Sequence, residues 1–281
     1  MKKLNIIFIN YLFLGALCFG DLLRPYNNQQ LTYIYVVFEW EQEPDIEHYQ
    51  LEISNLLNDE IKIIDSIYTT TYLEKYFISF NRSYSWRIRG YNYIRGWEDW
   101  IGPKSFSIKR SKLGNVIIDN YLDSLIQPGL TFFGGANPER YSIIVDRAGR
   151  EIWNDGGKEF KINYINKYGS IYGNSDYENP VNKACKINYD LQFLWSSNQM
   201  VDNHDMKESP YKTYFVMRNV YSNGPIPSNN AMTQQFRDLG YFADDTTNEF
   251  PWYGQEIIEM DSNNQVLWSW NPFDHFSIND Y

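Results

Sequence analysis

The segment IIVDRAGREIWN, residues 143–154, reads as an apolar strand, a polar turn and a second strand that ends near a tryptophan. The same order recurs in INYDLQFLWSS, residues 187–197, and in IIEMDSNNQVLWSWN, residues 257–271. A strand–turn–strand unit that recurs at about 40 residues cannot bury its apolar face alone, and is typical of sheets that stack as propeller blades. The sequence therefore predicts an all-β region built from successive sheets.

The tryptophans of this repeat are expected to pack one sheet on the next. Trp153 and Trp195 are 42 residues apart and Trp195 and Trp268 are 73 apart, with the excess in a stretch, 221–253, rich in Pro, Asn and Gly. Large aromatics at strand ends are core residues far more often than ligand platforms. Each turn also contains an aspartate, which we expect to accept backbone hydrogen bonds at the hairpin tip: Asp146, Asp190 and Asp261.

The first half of the chain has a different pattern of short alternating strands, from about Tyr33 to Ile108. Its segments are VVFEWE (36–41), HYQLEIS (48–54), YSWRIRGYN (84–92) and GWEDWIGPKSFSI (96–108). They resemble a fibronectin type III module, with Trp40 as a core tryptophan and Tyr84 near the tyrosine corner. We expect an immunoglobulin-like sandwich over residues 21–109. His48, at a strand entry, is expected to be an exposed edge residue without a role in chemistry.

Two histidines beside aspartates are the strongest indication of chemistry. They are His204 in VDNHDM and His275 in WSWNPFDHF, and the chain has only one other histidine. Each lies shortly after a strand of the tryptophan repeat. Because imidazole titrates near neutral pH, a histidine beside a carboxylate suits acid–base or nucleophilic work.

Four segments in order, PGLTFFGG (128–135), IIVDRAGREIW (143–153), NHDM (203–206) and EIIEMDSNNQVLWSWNPFDHF (256–276), resemble the arylsulfotransferase family. The resemblance covers about residues 121–281. It implies a secreted six-bladed propeller that moves a sulfuryl group from an aryl sulfate to a phenol through histidine chemistry, with no cofactor. Such a site must neutralise three sulfuryl oxygens and move a proton at a phenolic oxygen, for which imidazole and an arginine fork are suited.

The resemblance also implies roles for individual residues. His204 matches the family's early histidine and is expected to contact substrate or act in acid–base catalysis, with Asp205 either orienting its ring or starting the next strand. His275 and Arg218 are expected to bind substrate. For His275 the alternative is a loop histidine that holds the next sheet in register, and for Arg218 the alternation of the strand leaves both faces open.

The predicted layout is a sandwich followed by an incomplete propeller. Residues 110–122 are expected to be a linker, and residues 123–281 leave room for three or four blades of about 40 to 45 residues each. The family has six blades and a further histidine-bearing strand. We therefore expect this chain to be a C-terminally truncated fragment of an enzyme and to be inactive by itself.

The first twenty residues have the order of a secretory signal. Two lysines precede an apolar stretch from Leu4 to Phe19, and Gly20 follows. We expect export to the periplasm, the cell surface or the medium, and no stable membrane span, because Asn5 and Asn10 interrupt the apolar run. Removal of the leader would leave Cys185 as the single cysteine, so neither an internal disulfide nor a cysteine metal site is expected.

Charge and composition exclude some classes of function. The formal net charge of −10 comes without a lysine or arginine run, so nucleic acid is not an expected partner. Three histidines in separate segments lack the spacing of metal ligands, and no adjacent cysteine pair supports a quinone-cofactor dehydrogenase. The remaining alternative is a non-catalytic secreted binding or adhesion protein with a degenerate propeller, contacting a protein or glycan through the sandwich domain.

Overall fold

A computed structural model describes residues 20–113, 122–125, 127–135, 140–176, 182–202 and 204–276. Strands account for 49% and helices for 5% of the chain, which confirms the predicted all-β class. The chain divides into two compact units, residues 1–109 and 110–281. The predicted signal sequence lies outside the described residues, except for Gly20.

The first unit contains two sheets. Its described strands are β1 (Leu22–Arg24), β2 (Gln29–Leu31), β3 (Val36–Trp40), β4 (Ile46–Asn55), β5 (Ile61–Ile67), β6 (Thr71–Glu74), β7 (Ser83–Asn92), β8 (Gly96–Trp97) and β9 (Ile101–Ile108). One sheet has the order β1-β3-β6 and the other β2-β9-β7-β4-β5, with β8 beside β7. Neighbours are antiparallel except for β2 and β9, which run parallel.

Aromatic side chains from both sheets form the core of the first unit. In β7 every second residue is buried, so one face of this strand points inward. The Phe38 ring meets the edge of Trp86 at 5.1 Å and the Trp40 ring meets Tyr49 at 5.4 Å. Because each pair joins β3 to a strand of the other sheet, the two sheets pack face to face.

The second unit begins with residues that bind its own strands. The predicted linker, 110–122, is described at 110–113 and at Leu122, while 114–121 lie outside the described residues. The Glu151 carboxylate accepts hydrogen bonds from the Ser111 hydroxyl and the Leu113 backbone N–H, both at 2.6 Å. Residues 111–113 are therefore held against the unit.

The strands of the second unit are β10 (Thr131–Gly135), β11 (Tyr141–Val145), β12 (Glu151–Asn154), β13 (Phe160–Ile165), β14 (Ile171–Ser175), β15 (Lys183–Ile187), β16 (Phe193–Ser196), β17 (Met206–Glu208), β18 (Tyr214–Gly224), β19 (Phe250–Met260) and β20 (Val266–Trp270). Helix α1 (Thr233–Asp238) lies between β18 and β19, and 3-10 helices span Asp123–Leu125 and Pro272–Asp274. The strands form a first sheet (β10–β12), a second sheet (β13–β16) and a third sheet (β17–β20), all antiparallel in chain order.

Side-chain acceptors close the hairpin turns of these sheets. Asp146 accepts from the backbone of Ala148 and Arg150, and Asp261 accepts in the same way from positions 263 and 265. In the second sheet the acceptor is Asn188, two residues before the predicted Asp190. The turn is the same, and the first residue of the loop supplies the oxygen in every case.

Two of the three repeat tryptophans pack against the following sheet, as expected. The Trp153 indole donates to the carbonyl oxygen of Tyr189 at 2.8 Å, and the Trp195 ring stacks on Tyr214 at 3.8 Å. Trp268 differs, because 47% of it is exposed. It lies on the face of the third sheet that no other sheet covers among the described residues, so it has no equivalent packing partner there.

Candidate functional site

His204 lies in the loop that joins β16 to β17. The loop runs along β18, where the Asp202 backbone N–H donates to the carbonyl oxygen of Met217 at 2.6 Å. The side chain of His204 is 73% exposed. Its ring is therefore open to a soluble substrate, while its loop is attached to the third sheet.

Asp202, and not Asp205, orients the imidazole. One Asp202 carboxylate oxygen lies 2.5 Å from the His204 Nδ1 and also accepts from the His204 backbone N–H at 2.9 Å. Asp205 instead accepts from the Met206 N–H at 2.8 Å and so starts β17. Of the two roles left open for Asp205, the structure supports starting the strand. An aspartate often accepts a hydrogen bond from the N–H two residues later and so forms a turn, and the sequence shows this spacing between Asp202 and His204.

The Asp202 contact defines what the imidazole can do. A carboxylate that binds Nδ1 favours the tautomer with the proton on Nδ1, which leaves Nε2 as an acceptor. An orienting carboxylate of this kind is the third member of a general-base arrangement. The His204–Asp202 dyad can therefore accept a proton from a bound hydroxyl group.

Arg218 lies on the face of the third sheet that packs on the second sheet. It follows Val216 by two residues, and Val216 is buried in that interface with Tyr214. Its Nε donates to Glu256 at 2.5 Å across the β18–β19 pair, and Glu256 is buried. The structure thus brings Arg218 to the strand segment on which the His204 loop lies.

His275 occupies the opposite face of the third sheet. Its ring stacks on Trp270 at 5.1 Å with an angle of 4° between the planes. Trp270 pairs with Ile257, the neighbour of Glu256 in β19, so the two side chains alternate to different faces. His275 and Arg218 therefore do not share one site, although the sequence grouped them.

Below the His204 loop, a polar cluster joins the second and third sheets. Glu208 of β17 binds the Lys186 ammonium at 2.8 Å and the Tyr172 hydroxyl at 2.6 Å, and its N–H donates to the Tyr164 hydroxyl at 2.8 Å. The rings of Tyr164 and Tyr172 stack at 4.3 Å. Because Glu208 ends β17 and pairs with Tyr214, these contacts fix the end of β17 and the start of β18 relative to the second sheet.

Burial and this network shift the pKa values in the cluster. Burial, opposed by the hydrogen bond to the Glu208 N–H, raises the pKa of Tyr164 to about 12. Burial and then the Glu208 carboxylate raise the pKa of Tyr172 as well. Burial alone would raise the pKa of Glu208, but hydrogen bonds from Lys186 and Tyr172 hold it below its usual range. Neutral tyrosines and an ionised glutamate are therefore the stable forms.

Other kinds of site are not seen in the described part of the chain. Within it, no group of three His, Cys, Asp or Glu side chains is arranged to hold a metal ion. Nor does any described helix combine the length and apolar character needed to cross a bilayer. Open cavities of about 370 and 460 Å³ lie in the first unit, at the β4–β5 and β7–β8 turns.

No protein-family model matches the sequence, and no curated protein matches it either.

Proposed function

We propose that the protein is an exported sulfotransferase, similar to the arylsulfotransferases, that moves a sulfuryl group from an aryl sulfate to a phenol. The observation that supports this most is the His204–Asp202 dyad, in which an exposed imidazole is held by a carboxylate at 2.5 Å. The histidine of this dyad, His204, matches the early histidine of the family that the sequence resembles.

In the proposed reaction His204 handles the proton. The phenol oxygen of the acceptor attacks the sulfur and its proton passes to the His204 Nε2. The S–O bond to the donor phenol breaks, and the donor oxygen keeps the electron pair and takes the proton from His204. Asp202 stabilises the imidazolium between the two transfers. Arg218, with its charge balanced by Glu256, is proposed to lie beside the sulfuryl oxygens.

The proposal includes the finer fold assignment. A fibronectin type III sandwich is supported by the Tyr84 hydroxyl, which accepts from the Ser79 N–H at 2.9 Å, as in a tyrosine corner. An incomplete propeller is supported by the antiparallel sheets that follow one another, with Trp153 and Trp195 between them. Export rests on the basic and apolar N-terminal sequence.

The test uses 4-nitrophenyl sulfate as donor and phenol as acceptor. We expect nitrophenolate release that requires the acceptor and is lost in His204→Gln. In Asp202→Asn the rate should fall by up to about 10⁴, because the ring is then in the wrong tautomer. His48→Gln serves as the matched control and should keep the wild-type rate, because His48 belongs to the first unit and is expected to have no role in chemistry. Release that ignores the acceptor, or that survives His204→Gln, would remove the dyad from the reaction.

A non-catalytic binding role is the second candidate, favoured by a surface of the first unit. Arg87 lies over the Trp100 ring at 4.3 Å, and Arg89 lies over both Trp97 and Trp100 at 4.7 and 4.6 Å. Stacked cations and aromatics of this kind occur at protein and glycan contacts. Binding to glycans or proteins that is lost in Trp97→Ala, together with no sulfuryl transfer, would favour this role.

A further inference from the structure

Two asparagines of the second sheet make the same unusual set of contacts. The Asn163 side-chain amide donates to the carbonyl oxygen of His204 at 2.9 Å, and the Asn174 amide donates to the carbonyl oxygen of Asp202 at 3.4 Å. In both, the amide oxygen is buried and has no hydrogen-bond partner among the described residues. An unsatisfied buried acceptor is destabilising, so the fold keeps these two amides beside one loop at a cost in stability.

The backbone of β13 explains how Asn163 reaches the loop. Ile162 pairs with Gly173 and Tyr164 pairs with the next residue, Tyr172, so Asn163 is an extra residue without a partner in β14. Such a bulge bends the strand and turns a side chain in a new direction, and bulges are common beside active sites. Here the redirected side chain spans from the second sheet to the His204 loop.

Asn174 reaches the same loop from the neighbouring strand. It follows Tyr172 by two residues in β14, so both side chains lie on the face that packs on the third sheet. Asn174 is fully buried. Its amide therefore meets the Asp202 carbonyl from within the interface, whereas Asn163 meets the His204 carbonyl at the margin.

Together these contacts hold the backbone of Asp202 and His204 in place. Asn174 binds the carbonyl of Asp202, Met217 binds the N–H of Asp202, and Asn163 binds the carbonyl of His204. The exposed His204 ring itself contacts only Asp202 among the hydrogen bonds of the described residues. Its orientation thus depends on how well the loop backbone is fixed.

We propose that Asn163 and Asn174 are positioning residues that hold Asp202 and His204 in register, so that the imidazole keeps its proton on Nδ1. The role in catalysis rests on the proposed sulfuryl transfer. The effect on the ring does not, because the tautomer is a property of the protein without substrate.

The test measures the His204 tautomer in the full chain by proton–nitrogen NMR of the imidazoles, at a pH where the ring is neutral. His204→Gln identifies the signal. We expect mainly the Nδ1–H form in the wild type. In Asn163→Ala the ratio of the Nδ1–H to the Nε2–H form should fall about fivefold, which is the effect of one hydrogen bond of about 1 kcal/mol.

Asn188→Ala is the matched control, because Asn188 begins the turn between β15 and β16 of the second sheet and its side chain bonds only to Gln192 in the hydrogen bonds described. It should keep the wild-type ratio. Asn174→Ala should lower the ratio as well, and it decides the matter if Asn163→Ala does not fold. A wild-type ratio in the folded asparagine variants would overturn the inference.

The two proposals fail in different ways. If the tautomer ratio falls in Asn163→Ala but the wild type transfers no sulfuryl group, the positioning role stands and the proposed reaction is wrong. If the wild type transfers sulfuryl groups and the ratio is unchanged, the reaction stands and the positioning role is wrong.

Discussion

Replacing Glu208 by alanine should open the interface between the second and third sheets. Its carboxylate is bound by Lys186 at 2.8 Å and by the Tyr172 hydroxyl at 2.6 Å, and both partners belong to the second sheet. Glu208→Ala removes this acceptor. It leaves an ammonium group, only 16% exposed, without a counter-ion. The buried Tyr172 hydroxyl loses its acceptor and keeps only the hydrogen bond that the Asn166 amide donates at 3.0 Å.

The size of the effect follows from these exposures. Breaking a buried ion pair by removing one partner costs about 3–5 kcal/mol. Lys186 keeps some access to water, so we expect about 2–4 kcal/mol for Glu208→Ala. Lys212→Ala is the matched control: Lys212 binds the same carboxylate, but at 3.5 Å and with 70% of its side chain exposed. Its loss should cost less than about 1 kcal/mol.

Hydrogen–deuterium exchange of the intact chain measures this loss where it occurs. Peptides from β13–β18 should exchange faster in Glu208→Ala, because the equilibrium constant for local opening should rise by a factor of about 30 to 900. Peptides from the first unit provide the internal reference and should not change. Equal exchange in Glu208→Ala and Lys212→Ala would refute the claim that this carboxylate joins the sheets.

The carboxylate of Glu208 also makes the stability of this interface depend on pH in the acid range. The pKa of Glu208 in the folded protein lies below its usual value of 4.5. The folded state therefore prefers the ionised carboxylate, and this stabilisation is complete at pH values above the unfolded pKa. It is lost as the pH falls from about 4.5 through the folded pKa, so Glu208→Ala should flatten the acid limb of the stability curve.

Two further outcomes are expected. The pKa of Tyr164 is raised to about 12 and that of Tyr172 is also raised, so the folded state prefers the neutral form of both tyrosines. In urea unfolding, this stabilisation should be complete below about pH 10 and should be lost as the pH rises through about 12. Tyr172→Phe should reduce the loss of stability at alkaline pH. Trp195→Ala should cost about 3–5 kcal/mol in thermal unfolding, whereas Trp268→Ala, at a site that is 47% exposed, should cost clearly less, and equal costs would contradict the packing described for Trp195.

The sequence was sufficient to predict features that depend on local pattern. Alternation along the strands predicts the all-β class, and the apolar–turn–tryptophan repeat predicts the interface positions of Trp153 and Trp195. Both follow from the period of a strand and from the burial of large aromatics. The polar turn residues were also predictable, although the accepting oxygen in the second sheet belongs to Asn188 and not to Asp190.

The sequence was not sufficient for features that depend on contacts between sheets. Asp202 and Asp205 both flank His204, and only the path of the loop along β18 selects Asp202. The bulge at Asn163 has no local signal, because it depends on pairing with β14. The face occupied by Arg218 could be assigned only once Val216 was known to be buried against the second sheet.

If the His204–Asp202 dyad serves a sulfuryl transfer, nitrophenolate release must depend on both phenol and His204. With 4-nitrophenyl sulfate as donor, we expect release by the wild type and by His48→Gln only when phenol is present, and none by His204→Gln. No release by the wild type, or undiminished release by His204→Gln, would contradict this role of the dyad.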